Sequence, residues 1–103
     1  MPLRDEIAEL LRLPENGAGA PSLDAIESTL TDGYAAKHAL EAERWRIERR
    51  LGEVAREGGN GTHRNELARL SAQLESAEGE LTRLRSLLQS LQARRRVVRG
   101  SAA

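Results

Sequence analysis

The sequence predicts an all-α fold: an antiparallel two-helix coiled-coil hairpin with a short N-terminal amphipathic helix, dimerising or packing on a partner. Three observations carry this expectation. Of 103 residues 16 are Leu, with one Trp, one Tyr and no Phe, a composition suited to helices joined along narrow leucine stripes. Two long stretches place apolar residues at alternating steps of three and four. Clusters of Gly, Pro and Asn at 14–22 and 58–62 break the helical pattern between them.

Taken in order, residues 1–13 form the short amphipathic helix, with Leu3, Ile7, Leu10 and Leu11 on one face. PENGAGAPS, beginning at Pro14, makes residues 14–21 a flexible linker, and Ser22 is placed to N-cap the next helix. Asp24 then sits in the first turn, where the helix dipole favours an acid. That helix runs to about Glu57; GGNGT at 58–62 stops it, and Thr62 can cap a second long helix ending near Arg99. The hairpin thus spans 22–99, and 100–103 form a tail. The NGT at 60–62 matches a glycosylation acceptor and reads better as turn chemistry.

The first seam comprises Leu23, Ile26, Leu30, Gly33, Lys37, Leu40, Arg44, Ile47, Leu51 and Val54. The second comprises Leu67, Leu70, Leu74, Ala77, Leu81, Leu84, Leu88, Leu91, Arg95 and Val98. A five-residue turn forces the helices antiparallel and pairs Val54 with Leu67, Leu40 with Leu81 and Leu23 with Val98. Gly33, Lys37 and Arg44 are poor seam residues. Either they set the register, with the cations snorkelling to water, or this middle section is left loose for a ligand or partner.

Beside the second seam runs a polar series, Glu78, Thr82, Arg85 and Gln89, with Gln92 continuing it. The matching flank of the first helix holds Glu27, Thr31, Tyr34, His38, Glu41 and Trp45. In an antiparallel pair these flanks face each other, which sets Arg85 near Tyr34 and Glu78 near Glu41. A guanidinium, a phenol, amides and acids on one side suit a planar, anionic, hydrogen-bonding ligand: Arg grips phosphate or a guanine edge, and Glu accepts from guanine donors. The competing reading is a solvated flank of weak ion pairs.

The spacing E-x3-T-x2-R-x3-Q, as Glu78, Thr82, Arg85 and Gln89, resembles the helical signature of the actinobacterial RsiG anti-sigma family, E-x3-S-x2-R-x3-Q-x3-D. The resemblance implies a two-helix antiparallel hairpin that binds cyclic di-GMP and sequesters a WhiG-like sigma factor. Thr82 keeps the hydroxyl of the family's Ser, whereas Ala93 stands at the Asp position and removes an acceptor. On the first helix Tyr34 and His38 replace Arg and Gln. With one recognisable motif, symmetric binding of the dinucleotide would need a homodimer, each protomer offering its second helix. The resemblance makes Glu78, Thr82, Arg85 and Gln89 the nucleotide contacts, supported by Arg83, Gln92 and Tyr34. Leu3, Ile7 and Leu10 of the first helix, together with the outer Leu87, are the expected partner contacts.

Other classes are disfavoured. His38 and His63 lie on different elements with no Cys and no HExxH spacing, so no metal site is expected. A phosphate loop and a buried carboxylate pair are also missing, and a two-helix hairpin offers no concave water-excluding pocket, so the chain is not expected to be an enzyme. Sixteen basic residues balance 16 acidic ones, which argues against direct nucleic-acid binding. RRRVVR at 94–99 reads as cations offsetting a helix dipole. The N-terminus has no apolar signal run, no stretch is apolar enough for a membrane span, and the lack of Cys fits the cytoplasm. Two functions remain: a cyclic-di-GMP-gated anti-sigma factor, or a structural coiled-coil adaptor without a small ligand.

Overall fold

A computed structural model describes residues 2–14, 19–58 and 61–102. Three helices follow in order: α1 over Pro2–Arg12, α2 over Leu23–Glu57 and α3 over Gly61–Ala102. Pro2 opens α1 at the first helical position, where its missing N–H is no loss. Ser22 caps α2 as expected: its Oγ accepts from the Ala25 N–H at 3.1 Å, satisfying a first-turn donor. Pro21 and Ile26, both buried, occupy the two positions of a hydrophobic staple around that cap. Gly58, at φ +72°, supplies the left-handed residue that ends α2.

Two expected boundaries shift. Helix α3 begins at Gly61, which puts Thr62 within its first turn and not at its cap, and it runs three residues beyond Arg99 to Ala102. Parts of the expected linker and turn, residues 15–18 and 59–60, lie outside the described residues.

Helices α2 and α3 pack against each other, and the chain divides into two compact units. One comprises Met1–Lys37 with Arg83–Ala103; the other comprises His38–Thr82. In the second unit Ile47, Val54, Leu70 and Ala77 form a buried cluster, flanked by Leu51, Leu67 and Leu74, as the antiparallel seam requires. Arg50 ties its surface, donating to Glu66 at 2.9 and 3.1 Å and to Glu53 at 3.4 Å. The hydrogen bond to Glu66 is the main reason the Arg50 pKa is raised. His63 meets Glu57 at 3.2 Å beside the chain reversal. Every buried residue described in α2 and α3 is one the seam predicted.

The first unit is a three-helix packing. Ile26, Leu30, Leu84, Leu88 and Leu91 are buried there, and so is Ile7 of α1, at 0% exposure. Ile7 was expected to meet a partner; here the chain itself covers it, because a lone hairpin leaves one flank of its leucines without neighbours. A Cβ added at Gly33 would lie 2.4 Å from Leu88 Cδ2 and 3.8 Å from Ile7 Cδ1. The glycine is therefore the place where three helices converge, and the reading of this position as loose is corrected. Leu88 enters at the seam pairing the register gives it. Arg94 then holds the end of α1: its guanidinium donates to the Leu13 carbonyl at 2.7 Å and the Leu11 carbonyl at 2.9 Å. These are carbonyls that the helix itself leaves unsatisfied. Arg95 donates to Glu27 at 3.2 Å. The arginine run thus serves neighbouring helices as well as the end of its own. Among the described residues no helix is long and apolar enough to cross a membrane.

Two stability outcomes follow. Gly33→Ala should gain ~1 kcal/mol of helix propensity but lose ~1–3 to overpacking, since Leu88 is buried and has little room to move. Leu88→Ala alone should lose ~2–5 kcal/mol, and the double variant should lose less than the sum, measured by urea denaturation. Separately, Arg94→Ala should increase hydrogen exchange across residues 2–12 while leaving the Ile47 cluster protected.

Candidate functional site

A groove of the first unit lies on the α2–α3 flank that carries Tyr34. It encloses about 500 Å³ and is lined by Tyr34 and Lys37 of α2 and by Arg85, Leu88, Gln89, Gln92 and Arg96 of α3. The α3 residues Arg85, Gln89, Gln92 and Arg96 recur at steps of four, three and four, one face of a helix. Buried Leu88 forms the floor, and long polar side chains from both helices rise as walls. That is why a concave site exists where the sequence promised none: the walls are side chains and not backbone. The volume falls within the ~300–1,000 Å³ usual for small-molecule sites.

Its polar groups are organised. The Gln92 amide donates to the Tyr34 hydroxyl, a contact between part-buried residues across the two helices. This fixes the phenol and leaves the Gln92 carbonyl oxygen as an acceptor. The Lys37 ammonium stands 5.8 Å from the Tyr34 ring centroid, within cation–π range. Lys37, Arg85 and Arg96 are the three cations of the lining, and no carboxylate is among its residues. The chain as a whole carries no net charge. The lining therefore gathers three cations with amides and a phenol, chemistry suited to an anion with hydrogen-bonding edges.

Of the residues singled out in the sequence, Arg85, Gln89, Gln92 and Tyr34 come together in this groove. Tyr34 and Arg85 share its lining, as the facing flanks require. Glu78 and Thr82 are exposed residues of the other unit, and Arg83 is exposed and outside the groove lining. Ala93, at the acidic position of the signature, faces a different depression with Leu11, Ser90, Arg94 and Val97. On α2 the first half of the polar series is engaged locally. Thr31 donates its hydroxyl to the Glu27 carbonyl at 3.0 Å, while the Glu27 carboxylate accepts from Arg95. His38 lies 3.5 Å from Glu41 within the other unit. Lys37 and Arg96 are the groove residues that sequence reasoning missed as ligand contacts. Lys37 was assigned to the seam and Arg96 to the helix dipole, although the step from Arg85 through Gln89 and Gln92 leads to Arg96.

Leu10 and Leu3 remain part-exposed on α1, and Leu87 likewise on α3. A shallow depression between Glu6, Glu9, Leu10, Leu13 and Thr29 runs beside α1. In the other unit Trp45 is 56% exposed with the Arg49 guanidinium 4.9 Å from its ring centroid. Among the described residues no group of three or more His, Cys, Asp or Glu could hold a metal ion.

Tyr34→Phe should leave the Gln92 amide without its partner and lower stability by ~0.5–1.5 kcal/mol in chemical denaturation, with helical content unchanged.

No family model matches this chain, and neither a curated protein nor a solved structure matches it.

Proposed function

We propose that this chain is a cyclic-di-GMP-responsive anti-sigma factor, a helical hairpin that sequesters a WhiG-like sigma factor. The observation that supports the ligand is the groove itself: Arg85 and Gln89, half of the signature, line it together with Gln92 and a fixed Tyr34. Arg85 would grip a phosphate or the O6/N7 edge of guanine, Gln89 and Gln92 would hydrogen-bond the remaining base or ribose edges, and Tyr34 would offer a ring for stacking. Glu78, Thr82 and Arg83 stay in the proposal on the strength of the signature, and a second protomer would supply a second set. The sigma-factor half of the reading rests on the resemblance of E-x3-T-x2-R-x3-Q. Its contact surface would be the part-exposed Leu3, Leu10 and Leu87.

Trp45 favours a second reading, a structural adaptor without a small ligand. An exposed Trp stacked by Arg is the kind of residue pair that dominates protein–protein contacts.

Calorimetric titration with cyclic di-GMP decides between the two. Selective heat that disappears in Arg85→Ala, with circular dichroism still helical, supports the nucleotide reading. Unchanged binding in that variant removes Arg85 from the site. If no heat appears, even with a WhiG-like sigma factor present, the adaptor reading stands.

A further inference from the structure

We infer that the sigma factor docks in the depression beside α1, and that the segment it offers there is a basic amphipathic helix. This rests on the anti-sigma reading above and specifies its contact surface. The depression is lined by Glu6, Glu9, Leu10 and Leu13 of the N-terminal segment and by Thr29 of α2, around about 300 Å³. Ile7 turns inward and is fully buried, whereas Leu3, Leu10 and Leu13 stay part-exposed, Leu13 at 39%. With Glu6 they form a stripe at steps of three, four and three. The segment thus carries a second apolar face that the hairpin leaves partly open.

The acids set the charge of the occupant. Among the described residues neither Glu6 nor Glu9 meets a cation, although Arg50 in the other unit gathers Glu53, Glu57 and Glu66. The helix dipole accounts for Asp5 in the first turn of α1 but disfavours an acid at Glu9, near the negative end. A cation brought by a partner offsets both charges. A trough between two helices that joins leucines to carboxylates fits a third helix, with apolar anchors and Lys or Arg beside them. The depression on the other side of α1 gives no such signal, since Arg94 at its edge is already bound to the Leu11 and Leu13 carbonyls.

The test measures binding of the full chain to an immobilised WhiG-like sigma factor, with cyclic di-GMP present throughout. The variants are Leu13→Ser, Glu9→Lys, the pair Glu6→Gln with Glu9→Gln, and Trp45→Ser in the other unit. All four residues are exposed, and Ser keeps the Leu13 carbonyl that Arg94 holds. Circular dichroism checks that each variant is folded. Leu13→Ser and Glu9→Lys should each weaken binding by about ten-fold, and the Gln pair should reduce its salt dependence, while Trp45→Ser changes nothing. Unchanged binding in Leu13→Ser and Glu9→Lys overturns this inference but keeps the proposed function. Weakening by Leu13→Ser without any effect of the charge changes overturns the basic helix. Weakening by Trp45→Ser alone moves the contact to the other unit and overturns the surface. A wild-type chain that does not bind the sigma factor overturns the inference and the anti-sigma reading together.

Discussion

Within the first unit, Leu88 answers two demands at once. Its side chain is the floor of the polar groove on one side, and on the other it fills the space that Gly33 leaves. Had residue 33 carried a side chain, Leu88 would have to move, while Ile7 would meet it at ordinary contact distance. The absence of one Cβ on α2 therefore makes room for a buried leucine of α3. Helix propensity works against this choice, since glycine in a helix interior costs ~1 kcal/mol relative to alanine. Packing outweighs it, because three helices must approach one point.

The same economy shows in the arginines. With 15 Arg on a chain of zero net charge, a solvated coat of weak ion pairs would be the simplest arrangement. The second unit follows it, with Arg50 spread over Glu53, Glu57 and Glu66 on an exposed surface. The first unit does something else with a run of consecutive arginines. Successive residues of a helix point about 100° apart, so Arg94, Arg95 and Arg96 address three different places. Arg94 satisfies the carbonyls ending α1, Arg95 meets Glu27 of α2, and Arg96 stands in the groove. A run that reads as uniform positive charge is resolved by helical geometry into a cap, an ion pair and a groove wall.

In the groove Arg85 and Gln89 are continued by Gln92 and Arg96 at helical spacing, and are met from α2 by Tyr34 and Lys37. The face is thus built by two helices with different chemistry, a basic and amide stripe against a phenol and an ammonium. Glu27 and Thr31, the acid and hydroxyl of the α2 series, bond to α3 and to their own helix. They do not mirror Glu78 and Thr82.

Most of the architecture was legible in the residues taken in order. Seam residues at steps of three and four named every buried position described in α2 and α3, because a helix periodicity near 3.6 leaves only one stripe facing a neighbour. Ser22 and Glu57 bounded α2 correctly, because caps and breakers act through local backbone chemistry. The seam pairing of Gly33 with Leu88 followed from the antiparallel register alone. What the sequence could not decide was everything needing a third dimension beyond that stripe. That Ile7 is buried by its own chain and that Arg94 reaches across to Leu11 and Leu13 depend on where α1 lies, and that Gly33 is crowded and not loose depends on how closely Leu88 approaches it. Packing against the hairpin sets that position. Lys37 and Arg96 became groove residues for the same reason. Their positions on each helix were known, but which long side chains rise around one leucine is settled by how the two helices meet.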